Sequence, residues 1–147
     1  MRVFLPASWD QLAELTRGSV EFPVGHAVTE EVRTELADSD DEELEYIALG
    51  MAASDAIALA GERHRRVVLA ADVEAAPTGA LSEVSLGALV TLRNIAAIHV
   101  DSAEAEADVA AAAAAPDDER LAERALEHEL GWYAVQELAS LLAPDLE

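Results

Sequence analysis

Cysteine and lysine are both missing from this 147-residue chain. Without cysteine there is no disulfide, no thiolate metal site and no cysteine nucleophile. Without lysine the nine basic residues are all arginine, set against 30 aspartates and glutamates for a formal net charge of −21. Aromatic residues are scarce too: two Trp, two Tyr and two Phe. No window of about 18 residues is free of charge, as a membrane-spanning helix requires. The opening MRVFLPASWDQLAEL breaks at Pro6 and turns polar by Asp10, so it does not read as a signal peptide. A cytoplasmic protein is expected. Direct nucleic-acid binding is disfavoured, because phosphate neutralisation needs a basic face, and an anionic membrane surface is disfavoured for the same reason.

What is present is enough for a core: a chain of this length buries about two-thirds of its unfolded surface. RVFLP (2–6) predicts a strand ended by proline, and SWDQLAEL a helix with Ser8 and Gln11 in capping-box register. HAVTEEVRTEL repeats that order, with Thr29 as the cap and Glu30 and Glu31 at the positive helix end. SDDEELEYIALGMAASDAIALAGE predicts the longest helix, opened by a Ser39–Glu42 capping box and ended by Gly61. Leu44, Ile47, Ala48 and Met51 form its apolar stripe, and Tyr46, Leu49, Ala53 and Ile57 widen it past half the circumference, as in a central helix.

The continuous run Val67–Ala71 suits a strand covered on both faces, and Ile95–Val100 reads as a second. Val84–Leu86 is a weak edge strand. From Asp101 the pattern turns helical, with Asp101 and Glu104 spaced as a capping box and Glu104, Glu106 and Asp108 keeping one side wet. Pro116 stops that helix, another starts at Asp117 with Gly131 as its C-cap, WYA is extended, and VQELASLL is a short helix. The order of elements predicts an α+β fold: one domain spanning residues 1–147, a small mixed β-sheet with helices packed on it.

Six side chains are candidates for chemistry. His99 and Asp101 lie two apart on a strand and so share a face, although capping the next helix also accounts for Asp101. Asp72 ends the other buried strand; it joins Asp101 at one sheet edge only if the two strands are parallel. The 73–94 connection holds no convincing crossover helix, which favours an antiparallel pair. His128-Glu129 begins like a zincin helix, but Trp132 stands where H-E-x-x-H needs its second histidine. Four histidines without ligand spacing give no metal site, and no cofactor motif is present. Arg65 and Arg66, in the one dense basic patch RHRR, are candidate anion ligands, or else cations complementing a helix C-terminus. Trp9, Trp132 and Tyr133 either dock the C-terminal segment on the first strand and helix or anchor a partner.

MRVFLPAS, HAVTEEVR, DDEELEY, RRVVLAADV, AAIHVDSAEA and EHELGWYAVQEL occur in this order over nearly the whole chain. That arrangement resembles an uncharacterised family of small acidic actinobacterial proteins carried as a domain of unknown function. The resemblance implies a single-domain bacterial protein and carries over no activity and no catalytic residue. The sequence leads to a non-enzymatic regulator or adaptor that binds a basic protein partner through its acidic surface and is able to self-associate. An enzyme or ligand sensor using Asp72, His99 and Asp101 comes second, and a nucleic-acid mimic third.

Overall fold

The computed structural model describes residues 1–143. Its centre is a seven-stranded sheet: β1 (Arg2–Ala7), β2 (Val24–His26), β3 (Val67–Asp72), β4 (Ala75–Pro77), β5 (Glu83–Leu86), β6 (Ile95–Val100) and β7 (Gly131–Tyr133), in spatial order β4-β5-β2-β1-β3-β6-β7. Every pair is antiparallel. The helices are α1 (Trp9–Glu14), α2 (Glu30–Glu35), α3 (Asp41–Ala56), α4 (Glu106–Ala114), α5 (Glu119–Leu126) and α6 (Leu138–Leu142). The α+β class is as expected. No helix among the described residues is long and apolar enough to cross a membrane.

Alternation along the strands splits the core in two. Val3, Leu5 and Ala7 of β1 and Val67, Leu69 and Ala71 of β3 face Leu12, Leu15 and Leu138. Phe4, Val68, Ala70 and Ala97 face the other way, onto Ala48, Ala52, Ala53 and Ala56 of α3. These small side chains let α3 lie close on the sheet. A register shift at Ala70/Ala71 against β6 leaves Ala96 exposed and turns Ile95 and Ile98, three apart, to one face. A third cluster joins α4 and α5 through Ala105, Val109, Ala112 and Ala125. Gly25 is required by space: a Cβ there would sit 2.5 Å from Val3 Cγ1 and 2.8 Å from Leu5 Cδ2.

The caps at Ser8 and Thr29 form as read. Others move. Asp40, not Ser39, caps α3, and Asp118 opens α5. The long helix stops at Ala56, before two short 3-10 turns (57–59 and 61–63). Gly131 is no C-cap but the first residue of β7. β5 is not an edge: β4 lies outside it, with Pro77 where an edge strand tolerates proline. Nor is α3 central. It covers one sheet face and leaves Tyr46 62% and Met51 40% exposed.

Candidate functional site

The antiparallel pairing of β3 with β6 separates the two aspartates, since Val67 opposes Val100 while Ala71 opposes Ile95. Asp72 is therefore at the far end of the sheet from Asp101. It accepts hydrogen bonds from Arg2 Nε (2.9 Å) and Nη2 (3.2 Å), and this pairing holds its carboxyl below the usual range. The antiparallel direction of the pair keeps Asp72 and Asp101 from sharing one site.

Asp101 is not a helix cap either. Ser102 occupies the N-cap position of the turn that leads into α4, without a side-chain capping bond. The Asp101 carboxylate accepts from Arg66 Nε, Arg66 Nη2 and the Arg66 backbone N–H, each at 2.8 Å. Both side chains are sealed from water, and Arg66 Nη2 also donates to the His128 carbonyl at 3.0 Å. A buried guanidinium matched this closely by a fork-shaped acceptor is a structural pin. It joins the start of β3 to the end of β6 and to the link between α5 and β7. Arg66 is thus no anion ligand. Arg65 pairs with Glu106 at 2.6 Å, in a separate polar cleft beside Trp9 and Tyr133.

His99, Arg66 and His128 do meet. They line a cleft of about 430 Å³ whose other walls are Tyr46, Leu49, Gly50 and Met51 of α3, Leu126 and Leu130, and Trp132 of β7. His99 lies opposite Val68 on the α3 side of the sheet. Its half-buried ring is pushed below the ordinary imidazole range, first by burial and then by the positive charge of Arg2, both of which favour the neutral form. His128 Nε2 lies 2.8 Å from Asp108 Oδ2. The acidic side expected on α4 is thus partly turned inward: Glu106 holds Arg65 and Asp108 holds His128.

The sequence did not single out Tyr46, Gly50 or Met51 as a site, and offered Trp132 only as a partner anchor or as part of the C-terminal docking. Their signal was the excess apolar width of α3, together with a glycine inside a helix. A further polar group left no local signal, because its members are 29 and 56 residues apart: His26 Nδ1 lies 2.7 Å from Ser82 Oγ and its Nε2 2.6 Å from Asp55 Oδ2. These are the residue types of a hydrolytic triad, but Ser82 is only 1% exposed while the Asp55 side chain is 51% exposed. A nucleophile sealed from solvent reaches no substrate; the trio fastens β2 and the 78–82 loop to the end of α3. Among the described residues no group of three or more His, Asp or Glu side chains is placed to hold a metal ion.

One family model matches residues 1–142, a span that includes every strand and helix described above. The chain belongs to the family of unknown function DUF6912. No curated protein and no solved structure matches it. Family membership agrees with the resemblance as far as an uncharacterised domain spanning nearly the whole chain, and brings no assigned activity. The C-terminal segment docks as expected: Leu138 joins the core beside Leu12 and Leu15, and Arg63 stacks 4.1 Å over the Trp9 ring while donating to the Leu141 and Leu142 carbonyls. Trp132 does not share in that docking and stays 63% exposed.

Proposed function

We propose that the chain is a cytoplasmic binding protein, a regulator or adaptor that recruits a basic protein partner through its acidic surface. The observation that carries this reading is how the charges are placed. Five of the nine arginines are engaged within the fold, by Asp72, Asp41, the Leu141 and Leu142 carbonyls, Glu106 and Asp101. Exposed carboxylates such as Asp41, Glu42, Glu43, Glu45, Glu123, Glu127 and Glu129 dominate the surface around α3 and α5. A field of one sign steers an oppositely charged partner and rejects others.

The side chains that could have carried catalysis support the same reading. Asp72 and Asp101 are held by arginines at opposite ends of the sheet, and Ser82 is sealed. The arginine-only basic complement and abundant alanine support a GC-rich bacterial source, and an actinobacterial one is what the resemblance implies.

The test is affinity capture from the host lysate at low and at high salt, with bound proteins identified by mass and the complex rebuilt from purified components. A stoichiometric basic protein whose rebuilt complex weakens steeply with salt is expected. A partner of neutral or acidic charge, or affinity indifferent to salt, contradicts the reading.

A further inference from the structure

We propose that the cleft between α3 and β7 is where this partner is anchored: it seats one apolar side chain of a basic segment, whose flanking arginine or lysine residues lie over Tyr46 and Trp132. The inference rests on the basic-partner reading and adds its site and its chemistry.

Three independent observations converge there. Of the eight large apolar side chains left exposed among the described residues, Tyr46, Met51, Leu126 and Trp132 gather around this one cleft. Clustered exposed apolar surface marks an interaction site far more than scattered surface does. The second is Gly50. It sits inside a sixteen-residue helix, where glycine is destabilising relative to alanine. A Cβ at this position would meet nothing within 4 Å, so neither packing nor backbone geometry calls for glycine. What its missing side chain does is leave the cleft wall open for an occupant. The third is His99 in the lining, whose half-buried ring makes no hydrogen bond within the described residues and is available to a polar atom entering the cleft.

Charge selects the occupant. Glu129 is in the cleft wall, while Asp41, Glu42, Glu43 and Glu45 on α3 and Glu127 beside Leu126 are exposed. Tyr46 and Trp132 offer aromatic faces, which attract guanidinium and ammonium groups. A second copy of the chain, itself carrying −21, is repelled by the same field. A basic segment with one apolar residue satisfies both the cleft and its surroundings.

The test uses the full chain labelled with 15N, titrated at low salt with acetylated, amidated five-residue peptides: Arg-Arg-Leu-Arg-Arg, Arg-Arg-Ser-Arg-Arg and Ser-Ser-Leu-Ser-Ser. The two indole signals separate the sites, because Trp9 Nε1–H donates to the Arg65 carbonyl on the other side of the sheet. The Arg–Leu peptide is expected to shift the Trp132 indole and the Gly50 amide, leave the Trp9 indole in place, and bind at least tenfold tighter than either other peptide. Gly50→Leu is expected to erase the leucine advantage while retaining the weak binding of the Arg–Ser peptide and a folded spectrum. Equal binding of the two arginine peptides overturns the cleft assignment and leaves the basic-partner reading standing. Equal binding of the two leucine peptides overturns the basic occupant in favour of an uncharged apolar ligand. No binding of any peptide overturns the cleft and the electrostatic reading together.

Discussion

Removing the Asp101 carboxylate tests whether that residue is structural. Its two oxygens accept two guanidinium hydrogen bonds and one backbone N–H from Arg66, at positions sealed from water. In Asp101→Ala the guanidinium stays buried with only the His128 carbonyl at 3.0 Å as acceptor, and the Arg66 N–H loses its partner. Breaking a buried ion pair from one side costs about 3–5 kcal/mol, and the orphaned N–H lies within that loss rather than adding fully to it. A loss of about 4 kcal/mol is a large share of the roughly 5–15 kcal/mol that holds a domain folded. For a chain of this size it lowers Tm by roughly 8–16 °C. Urea unfolding followed by circular dichroism reads the first number and a thermal scan the second. The double variant Arg66→Met with Asp101→Leu removes both charges and is expected to recover most of the loss, though not the backbone hydrogen bond. A loss below about 1 kcal/mol in Asp101→Ala would refute the reasoning, since a carboxylate that matters so little is not pinning a buried guanidinium.

Three further outcomes follow from the same geometry. Gly50→Ala should raise stability by about 0.5–1 kcal/mol in urea unfolding, because the helix gains propensity and nothing is displaced; destabilisation would show a steric need for glycine that the open space at this position denies. Gly25→Ala should lower stability by about 1–3 kcal/mol, since the new methyl has to push into Val3 and Leu5; an unchanged urea midpoint would contradict that contact. The third concerns pH. Because His99 is depressed below its ordinary value near 6.5, the unfolded chain takes up a proton there before the native chain does. Its contribution to stability is full above about pH 6.5 and is lost as pH falls through the window below. His99→Leu should unfold with a shallower pH slope than the parent between pH 7.5 and 5.5, and an NMR titration placing His99 above 6.5 would reverse the sign.

The parts of the fold that were legible are those decided by neighbours in the chain. Val67–Ala71 is a continuous apolar run and Ile95–Val100 an apolar stretch broken only by His99, and they became β3 and β6. Ser8 with Gln11, and Thr29, cap helices within three residues of themselves. Asp101 shows where local reasoning stops. Its position before a helical segment is that of a cap, yet Arg66, 35 residues earlier, takes the whole carboxylate once β3 and β6 pair. Gly131 likewise follows a helix, as a C-cap would, but pairs with Val100 instead. The cleft was half visible. The apolar width of α3 is in the sequence, but only the sheet topology decides that Tyr46 and Met51 face solvent beside Trp132 and not a second layer of core. The His26, Asp55 and Ser82 trio lacked even that much signal, being brought together wholly by tertiary structure.

The most direct test of the central claim, a basic partner anchored at the cleft, is photo-crosslinking in growing host cells. A benzophenone amino acid is placed at position 50, on the cleft, and in a separate strain at position 76, on the β4 edge at the other end of the sheet. The account predicts a discrete adduct from position 50 with a protein of net positive charge, and none of that mass from position 76. An adduct with a neutral or acidic protein, the same adduct from both positions, or no adduct from position 50 would contradict it.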